Sequence, residues 1–236
     1  MSIADNIQRV QERIAAACAR SGRNPREVTL VVVTKQQPVD AMLAVVAAGL
    51  QHLGENRVKE AAVKIPQVAA AATQPITWHM IGHIQSRKAK QVAPLFDLVQ
   101  SVDSLRLAQR LSRLAQASER ELPILLEINV SGEASKYGLT GYNWYKDAAL
   151  REQLWREVAA IMALPSLEVR GLMTMAPFGA EEQAIRRVFA DLSALRDSLD
   201  ADLPELSMGM TDDFPIAIEE GATMIRVGRA IFGERK

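Results

Sequence analysis

Val28-Thr29-Leu30-Val31-Val32-Val33-Thr34 is an apolar run that closes on a charge, Lys35, with no acidic residue adjacent to it. A run of this length and β-branched content reads as a buried strand. An amine at the C-terminal end of such a strand loses hydration, which disfavours the ammonium form and makes it a candidate nucleophile toward aldehydes. Most lysines at strand ends, however, simply reach into solvent. Lys35 alone leaves both readings open, and the surrounding chain has to separate them.

Before the run, Ile7, Val10, Ile14 and Ala17 recur at helical spacing between about Asp5 and Arg20, and Gly22 with Asn24-Pro25 ends that helix. After it, strands are expected at 28–34, 51–54, 76–81, 96–100, 123–129, 167–174, 205–209 and 223–227. Helices are expected between them at 38–48, 56–71, 85–92, 103–118, 144–162, 181–200 and 213–220. Eight strands, each followed by a helix or helical turn, are the count of an α/β protein of the (β/α)8 TIM barrel type, here with an extra N-terminal helix. A doubly wound open sheet has the same rhythm, but its dinucleotide-binding form carries a glycine fingerprint after the first strand, where this chain has Lys35. No linker, repeat or low-complexity tract divides the sequence. Its 236 residues, 48% hydrophobic and 24% charged, suit one barrel domain spanning 1–236.

The formal charge is zero, so no overall basic field recruits nucleic acid or an anionic membrane. Cys18 is the only cysteine and lies in Ala15-Ala16-Ala17-Cys18-Ala19, where a buried structural thiol is expected; a disulfide within the chain is excluded. The N-terminus lacks the basic and apolar regions of a leader, and no run approaches the length that spans a bilayer, so a cytoplasmic protein is expected.

In a barrel, chemistry collects at the C-terminal ends of the strands. Strand one ends at Lys35, strand two runs into Gly54-Glu55-Asn56-Arg57, and strand three ends in His79-Met80-Ile81-Gly82-His83. Strand five ends in Asn129-Val130-Ser131 and opens a glycine-punctuated loop to Asn143; strand six gives Gly171-Leu172-Met173-Thr174-Met175. Ser207-Met208-Gly209-Met210-Thr211 and Arg226-Val227-Gly228-Arg229 end the last two strands, where barrels commonly seat a phosphate on loop N–H groups that glycine leaves accessible. Taken singly, Thr211 and Asp212 are also ordinary helix caps and Gly228 an ordinary turn; their shared mouth with Lys35 favours a ligand. His79 and His83 have a zinc-like spacing, but a strand end and Gly82 lie between them and no cysteine or acidic residue is near, so no metal is expected. The Arg87-Lys88-Ala89-Lys90 cluster and the Arg106, Arg110, Arg113 stripe read as solvated helix faces. Met173, Met175, Met208 and Met210 read as core filler, with a flat-ligand pocket as the other use.

Taken in order, Lys35, Gly54-Glu55-Asn56, Trp78-His79-Met80-Ile81-Gly82-His83-Ile84-Gln85-Ser86-Arg87-Lys88, Asn129-Val130-Ser131 with Lys136 and Gly138, Gly171-Leu172-Met173, Leu206-Ser207-Met208-Gly209-Met210-Thr211-Asp212-Asp213 and Ile225-Arg226-Val227-Gly228-Arg229-Ala230-Ile231-Phe232-Gly233 carry a resemblance. Over nearly its whole length the chain closely resembles the pyridoxal 5′-phosphate homeostasis family, the YggS/PROSC family. The resemblance implies a single barrel like the N-terminal domain of alanine racemase, with pyridoxal 5′-phosphate held as a Schiff base on Lys35 and Arg226 facing the pyridine nitrogen. It further implies a phosphate held by Thr211, the backbone N–H groups of Gly228 and Arg229, and Ser207, with Asn56, His79, Met80 and Asn129 near the ring. Two departures stand out: many relatives have serine at position 211 and a small hydroxyl residue at 229, so Arg229 adds a phosphate contact or points outward; and 140–147 is longer than the family pattern.

What the resemblance implies is a carrier or buffer of the cofactor, with pyridoxal-phosphate enzymes as recipients, rather than a strong catalyst. An arginine at the pyridine nitrogen supplies no proton to strengthen the electron sink. The racemase family's opposing tyrosine comes from a separate domain of the partner subunit, and this chain ends soon after strand eight. A weak racemase or lyase is the alternative, with Lys136 or Tyr137 as its candidate base. A third reading is an aldolase-like barrel using Lys35, for which Glu127, inward-facing but one layer below Asn129, is the nearest carboxylate. A monomer is expected because no long exposed apolar helix stands out.

Overall fold

A computed structural model describes residues 2–233. The β-branched run forms β1 (Thr29–Val33), which pairs in parallel with β2 (His52–Glu55) on one side and β9 (Met224–Val227) on the other. β3 (Thr77–Met80), β4 (Leu98–Val102), β5 (Leu122–Asn129), β7 (Leu167–Met173) and β8 (Glu205–Ser207) complete the ring. Pairing of β4 with β5 closes it into the eight-stranded parallel barrel, a (β/α)8 TIM barrel. Val31, Leu98, Leu125, Met173 and Met224 fill its interior as one apolar cluster, and a larger apolar shell lies between the strands and the helices.

The helices are α1 (Ile3–Arg20), α2 (Val39–Ala47), α3 (Val58–Ala71), α4 (Ala89–Val92), α5 (Leu105–Ala117), α6 (Ala148–Met162), α7 (Glu182–Ser198), α8 (Phe214–Glu219) and α9 (Arg229–Phe232). α1, the extra helix, starts two residues earlier than its apolar spacing indicates. The Ser2 hydroxyl accepts from the Asp5 N–H and the Asp5 carboxylate from the Ser2 N–H, which stabilises the first turn. Ile7, Val10, Ile14, Ala17 and Cys18 are its buried face. Among the described residues no helix is long and apolar enough to cross a membrane.

Several elements differ from the sequence expectation, and four of the differences have a local reason. The fourth strand begins at Leu98 rather than 96, because the Leu95 and Phe96 N–H groups still donate to the Val92 carbonyl of the preceding helical turn. α6 begins at Ala148 rather than 144, because the Asp147 carboxylate caps the N–H groups of Ala149 and Leu150. The strand expected at 205–209, β8, stops at Ser207, since Gly209 takes φ +94° and a Cβ there would strike Ala217 and Phe214. The loop after β5 contains a two-residue strand, β6 (Leu139–Thr140), paired in parallel with the end of β5. Gly138 makes this possible: at φ +119° it crosses β5 so closely that a Cβ would lie 2.8 Å from the Asn129 nitrogen.

Barrel closure also depends on Gly171, where a Cβ would sit 1.8 Å from the Glu205 carbonyl oxygen of the neighbouring strand. Gly171→Ala is therefore expected to cost at least about 3 kcal/mol, at or beyond the upper end of ordinary overpacking, read as a lowered urea midpoint or loss of soluble protein.

Candidate functional site

A cavity of about 510 Å³ opens at the C-terminal ends of the strands. Its wall combines Lys35 from the turn after β1, Thr211 and Asp212 from the loop after β8, and Arg226, Gly228 and Arg229 from the end of β9 and the start of α9. Alternation along β1 explains why Lys35 faces the mouth: Val31 packs inside the barrel, so Val33 and Lys35 follow on the same side. Gln36, directly after it, has φ 62°, a left-handed conformation that costs a non-glycine residue about 1–2 kcal/mol.

Arg226 is 4% exposed. Its Nη1 donates to the Ser207 hydroxyl at 2.6 Å and its Nη2 to the Thr174 carbonyl at 2.9 Å. Burial pushes its pKa down to about 10, against the opposing pull of Glu127 and Asp213. The guanidinium therefore keeps its charge at neutral pH. The Ser207 hydroxyl donates in turn to Gln100 Oε1 at 2.7 Å, which leaves the Gln100 amide nitrogen as donor to His79 Nδ1 at 2.9 Å. His79 then carries its hydrogen on Nε2 and donates to His52 Nδ1 at 3.0 Å. Because an arginine has no acceptor, every donor in this string points from Arg226 toward His52. Burial, followed by the neighbouring His52, pushes His79 down to about 3, so the ring stays neutral as the string requires.

Of the residues expected near the ring, several have other employment. Ser207 and His79 are buried in this string and are not on the cavity wall. Met80 follows His79 on β3, so its side chain faces the opposite way, into the apolar shell between strands and helices. Asn129 organises its own loop: its amide nitrogen donates to the Glu133 carbonyl, and its oxygen accepts from the Ser131 hydroxyl and the Gly132 N–H. Asn56 packs against Gly82, where a Cβ would approach its carbonyl oxygen to 2.3 Å, and its Oδ1 is buried without a partner among the described residues. The two histidines of the zinc-like spacing go separate ways. His83 Nδ1 lies 2.9 Å from Asp103 and its ring stacks on Tyr137 at 3.6 Å. Among the described residues no cluster of His, Cys, Asp or Glu is arranged to hold a metal ion.

At the other edge of the cavity, the Thr211 hydroxyl accepts from the Ala230 N–H at 3.4 Å, and Arg229 is paired with Asp212. Gly228 allows the end of β9 to lie against β1, where a Cβ would meet the Val33 oxygen at 3.1 Å. α1 braces this edge from outside: Asn6 donates to the Ile231 carbonyl, Arg13 donates to the Thr211 carbonyl, and the Arg13 guanidinium lies 4.4 Å from the Phe214 ring centre. Sequence reasoning missed Gln100, Asp212 as the partner of Arg229, and Phe178, which stands 87% exposed on the cavity rim. Gln100 had one visible signal, a lone amide inside an otherwise buried strand.

A parallel eight-stranded barrel with a lysine after its first strand and a buried arginine on its last defines the class. The sequence model of the family described as "Alanine racemase, N-terminal domain" matches residues 2–236. A "Pyridoxal phosphate homeostasis protein" from Pseudomonas aeruginosa is 43% identical over 99% of this chain and 96% of its own, and the one from Escherichia coli K12 is 37% identical over 99% and 97%. The structure of PipY from Synechococcus elongatus "with PLP bound" superimposes with a TM-score of 0.79 at 35% identity, covering 95% of this chain and all of that one. The chain belongs to the family of pyridoxal phosphate homeostasis proteins.

Glu127 lies inside the barrel at 4% exposure, on the same side of β5 as Asn129. Burial and then Asp103 push its pKa up to about 7, with Arg226 opposing. A carboxyl raised in the folded state binds its proton more tightly folded than unfolded, so it favours folding at low pH and that advantage is lost as pH rises from about 4.5 to 7. Across this window the urea midpoint of wild type is expected to fall relative to that of Glu127→Gln, by at most about 3 kcal/mol of stability.

Proposed function

We propose that this protein binds pyridoxal 5′-phosphate through an imine on Lys35 and serves in holding and handing over the cofactor rather than in strong catalysis. The observation that carries this is the donor set on one cavity: a primary amine, a buried guanidinium and a hydroxyl beside a glycine turn. The residues fit the group. The amine suits an aldehyde, the guanidinium suits an unprotonated ring nitrogen, and Thr211 with the N–H groups of Gly228 and Arg229 suits a phosphate. About 510 Å³ is within the usual size of a small-ligand site. The relatives named for pyridoxal phosphate homeostasis and the PLP-bound PipY support the same ligand.

When bound, the cofactor supplies an electron sink whose strength depends on a protonated pyridine nitrogen. Arg226 can donate a hydrogen bond there but, with a pKa of about 10, does not release its proton at working pH. Ser207 acts as the orienter of Arg226 in this reading, and Asn56, its side-chain oxygen buried, is like Ser207 and His79 not on the cavity wall. Of the candidate bases for a racemase or lyase, Lys136 is paired with Glu133 and also donates to the Met175 carbonyl, and Tyr137 is stacked on His83. Neither is poised to take a proton. Glu127 has a suitable proton affinity but is not on the cavity wall, which leaves the aldolase-like reading without a base in reach. The proposal includes one barrel domain acting as a cytoplasmic monomer, with pyridoxal-phosphate enzymes as recipients.

Purified wild type incubated with pyridoxal 5′-phosphate is expected to show a visible imine band and, after borohydride reduction, a pyridoxyl mass on the Lys35 peptide; Lys35→Ala is expected to show neither. A colourless wild type overturns the reading. Thr211→Val, which loses one hydrogen bond to a charged group, is expected to weaken binding at least about tenfold in a spectral titration.

A further inference from the structure

We infer that Lys64, with Glu55 and Glu60, positions the turn that carries Lys35 and so sets how readily its amine meets an aldehyde; this rests on the cofactor reading above. Lys64, on α3, is only 8% exposed. Its ammonium reaches three oxygens, Glu55 Oε1 at 2.7 Å, Glu60 Oε1 at 2.7 Å and the Thr34 carbonyl at 2.8 Å, which uses all three of its donors. Glu55 is fully buried on the helix-facing side of β2, and its Oε1 also accepts from the Thr34 hydroxyl at 2.7 Å. Glu60 Oε1 also accepts from the Gln36 N–H.

The cluster thus grips the residue before Lys35 by its carbonyl and hydroxyl, and the residue after it by its amide. Two anchors one residue either side fix the direction in which the lysine leaves the backbone. They also explain why Gln36 stays in the left-handed region, which a glutamine leaves unless something holds it there. The arrangement is expensive as packing alone, since a buried ion pair commonly contributes less stability than an apolar replacement. One of the four carboxylate oxygens, Glu55 Oε2, is buried with no hydrogen-bond partner among the described residues, and burial outweighs the Lys64 and Thr34 bonds in raising the Glu55 pKa. At Glu60 burial also raises the pKa, but the bonds from Lys64 and Gln36 outweigh it, so this carboxylate stays ionised and keeps its hold on the turn. A cluster that is costly to bury and touches the backbone on both sides of Lys35 is placed for positioning.

The test separates grip from fold. Glu60 is at the edge of the cluster, so Glu60→Ala removes the anchor on Gln36 while leaving the deeper pair in place. In the unliganded protein, amide exchange at Gln36 is expected to speed up about tenfold or more, with the melting temperature within about 4 °C of wild type. Titration with pyridoxal 5′-phosphate is expected to show a Kd about tenfold higher and a slower rise of the imine band. Gln36→Gly in the Glu60→Ala background is expected to recover most of that affinity, because glycine adopts the left-handed turn without being held. Lys64→Met should weaken binding further than Glu60→Ala. Wild-type affinity in Glu60→Ala, or a loss that Gln36→Gly does not recover, would overturn this inference alone. A wild type that forms no imine band overturns the cofactor reading and this inference with it.

Discussion

A guanidinium taken inside a barrel loses solvation worth several kcal/mol, and hydrogen bonds from the protein, with the attraction of nearby carboxylates, have to offset that loss. Arg226 imposes this requirement on its neighbours. Thr174 offers a carbonyl from the end of β7, Ser207 a hydroxyl from β8, and Ser207 in turn needs Gln100 across the barrel on β4. The demand reaches His79 and then His52, so a polar string crosses an interior that also holds the apolar cluster of Val31, Leu98, Leu125, Met173 and Met224. Strand register has to serve the string as well as the apolar filler. Val31 is opposite Arg226, Gly54 opposite His79 and Met173 opposite Ser207, and a slip of one residue would turn each polar group toward the helices.

Much of the architecture was legible because it depends on local pattern. The β-branched run ending at Lys35 read as a buried strand, and the helical spacing of Ile7, Val10, Ile14 and Ala17 marked α1 and its buried face. Strand ends rich in glycine and polar residues pointed to one mouth, and Lys35, Thr211, Arg226, Gly228 and Arg229 line one cavity. These positions follow from the barrel rule that loops after the strands converge.

What was not legible depends on alternation or on distant partners. His79 and Met80 could not both face the mouth, being adjacent on a strand, and the structure gives the inner side to the histidine. Asn129 looked available from sequence, but its amide is committed to the loop that follows it. β6 was hidden because two residues carry no periodicity and its pairing depends on the close crossing at Gly138. The grip on Lys35 joins residues 34 and 36 to residues 55, 60 and 64, and the apolar rhythm of α3 gave no reason to single out Lys64.

The pairing of β1 with β9 has a consequence for how the protein comes into being. During synthesis Lys35 emerges long before Arg226 and Gly228, which sit near the other end of the chain. At about 5–20 residues per second, the strand bearing the lysine waits on the order of 10 to 40 s for the strand that completes its cavity. Throughout that interval neither the guanidinium nor the turn at Gly228 exists on the growing chain. A ligand that needs amine, guanidinium and hydroxyl together can be captured only once the last strand has docked between β8 and β1. Occupancy of the cavity is thus a report that closure of the barrel is complete.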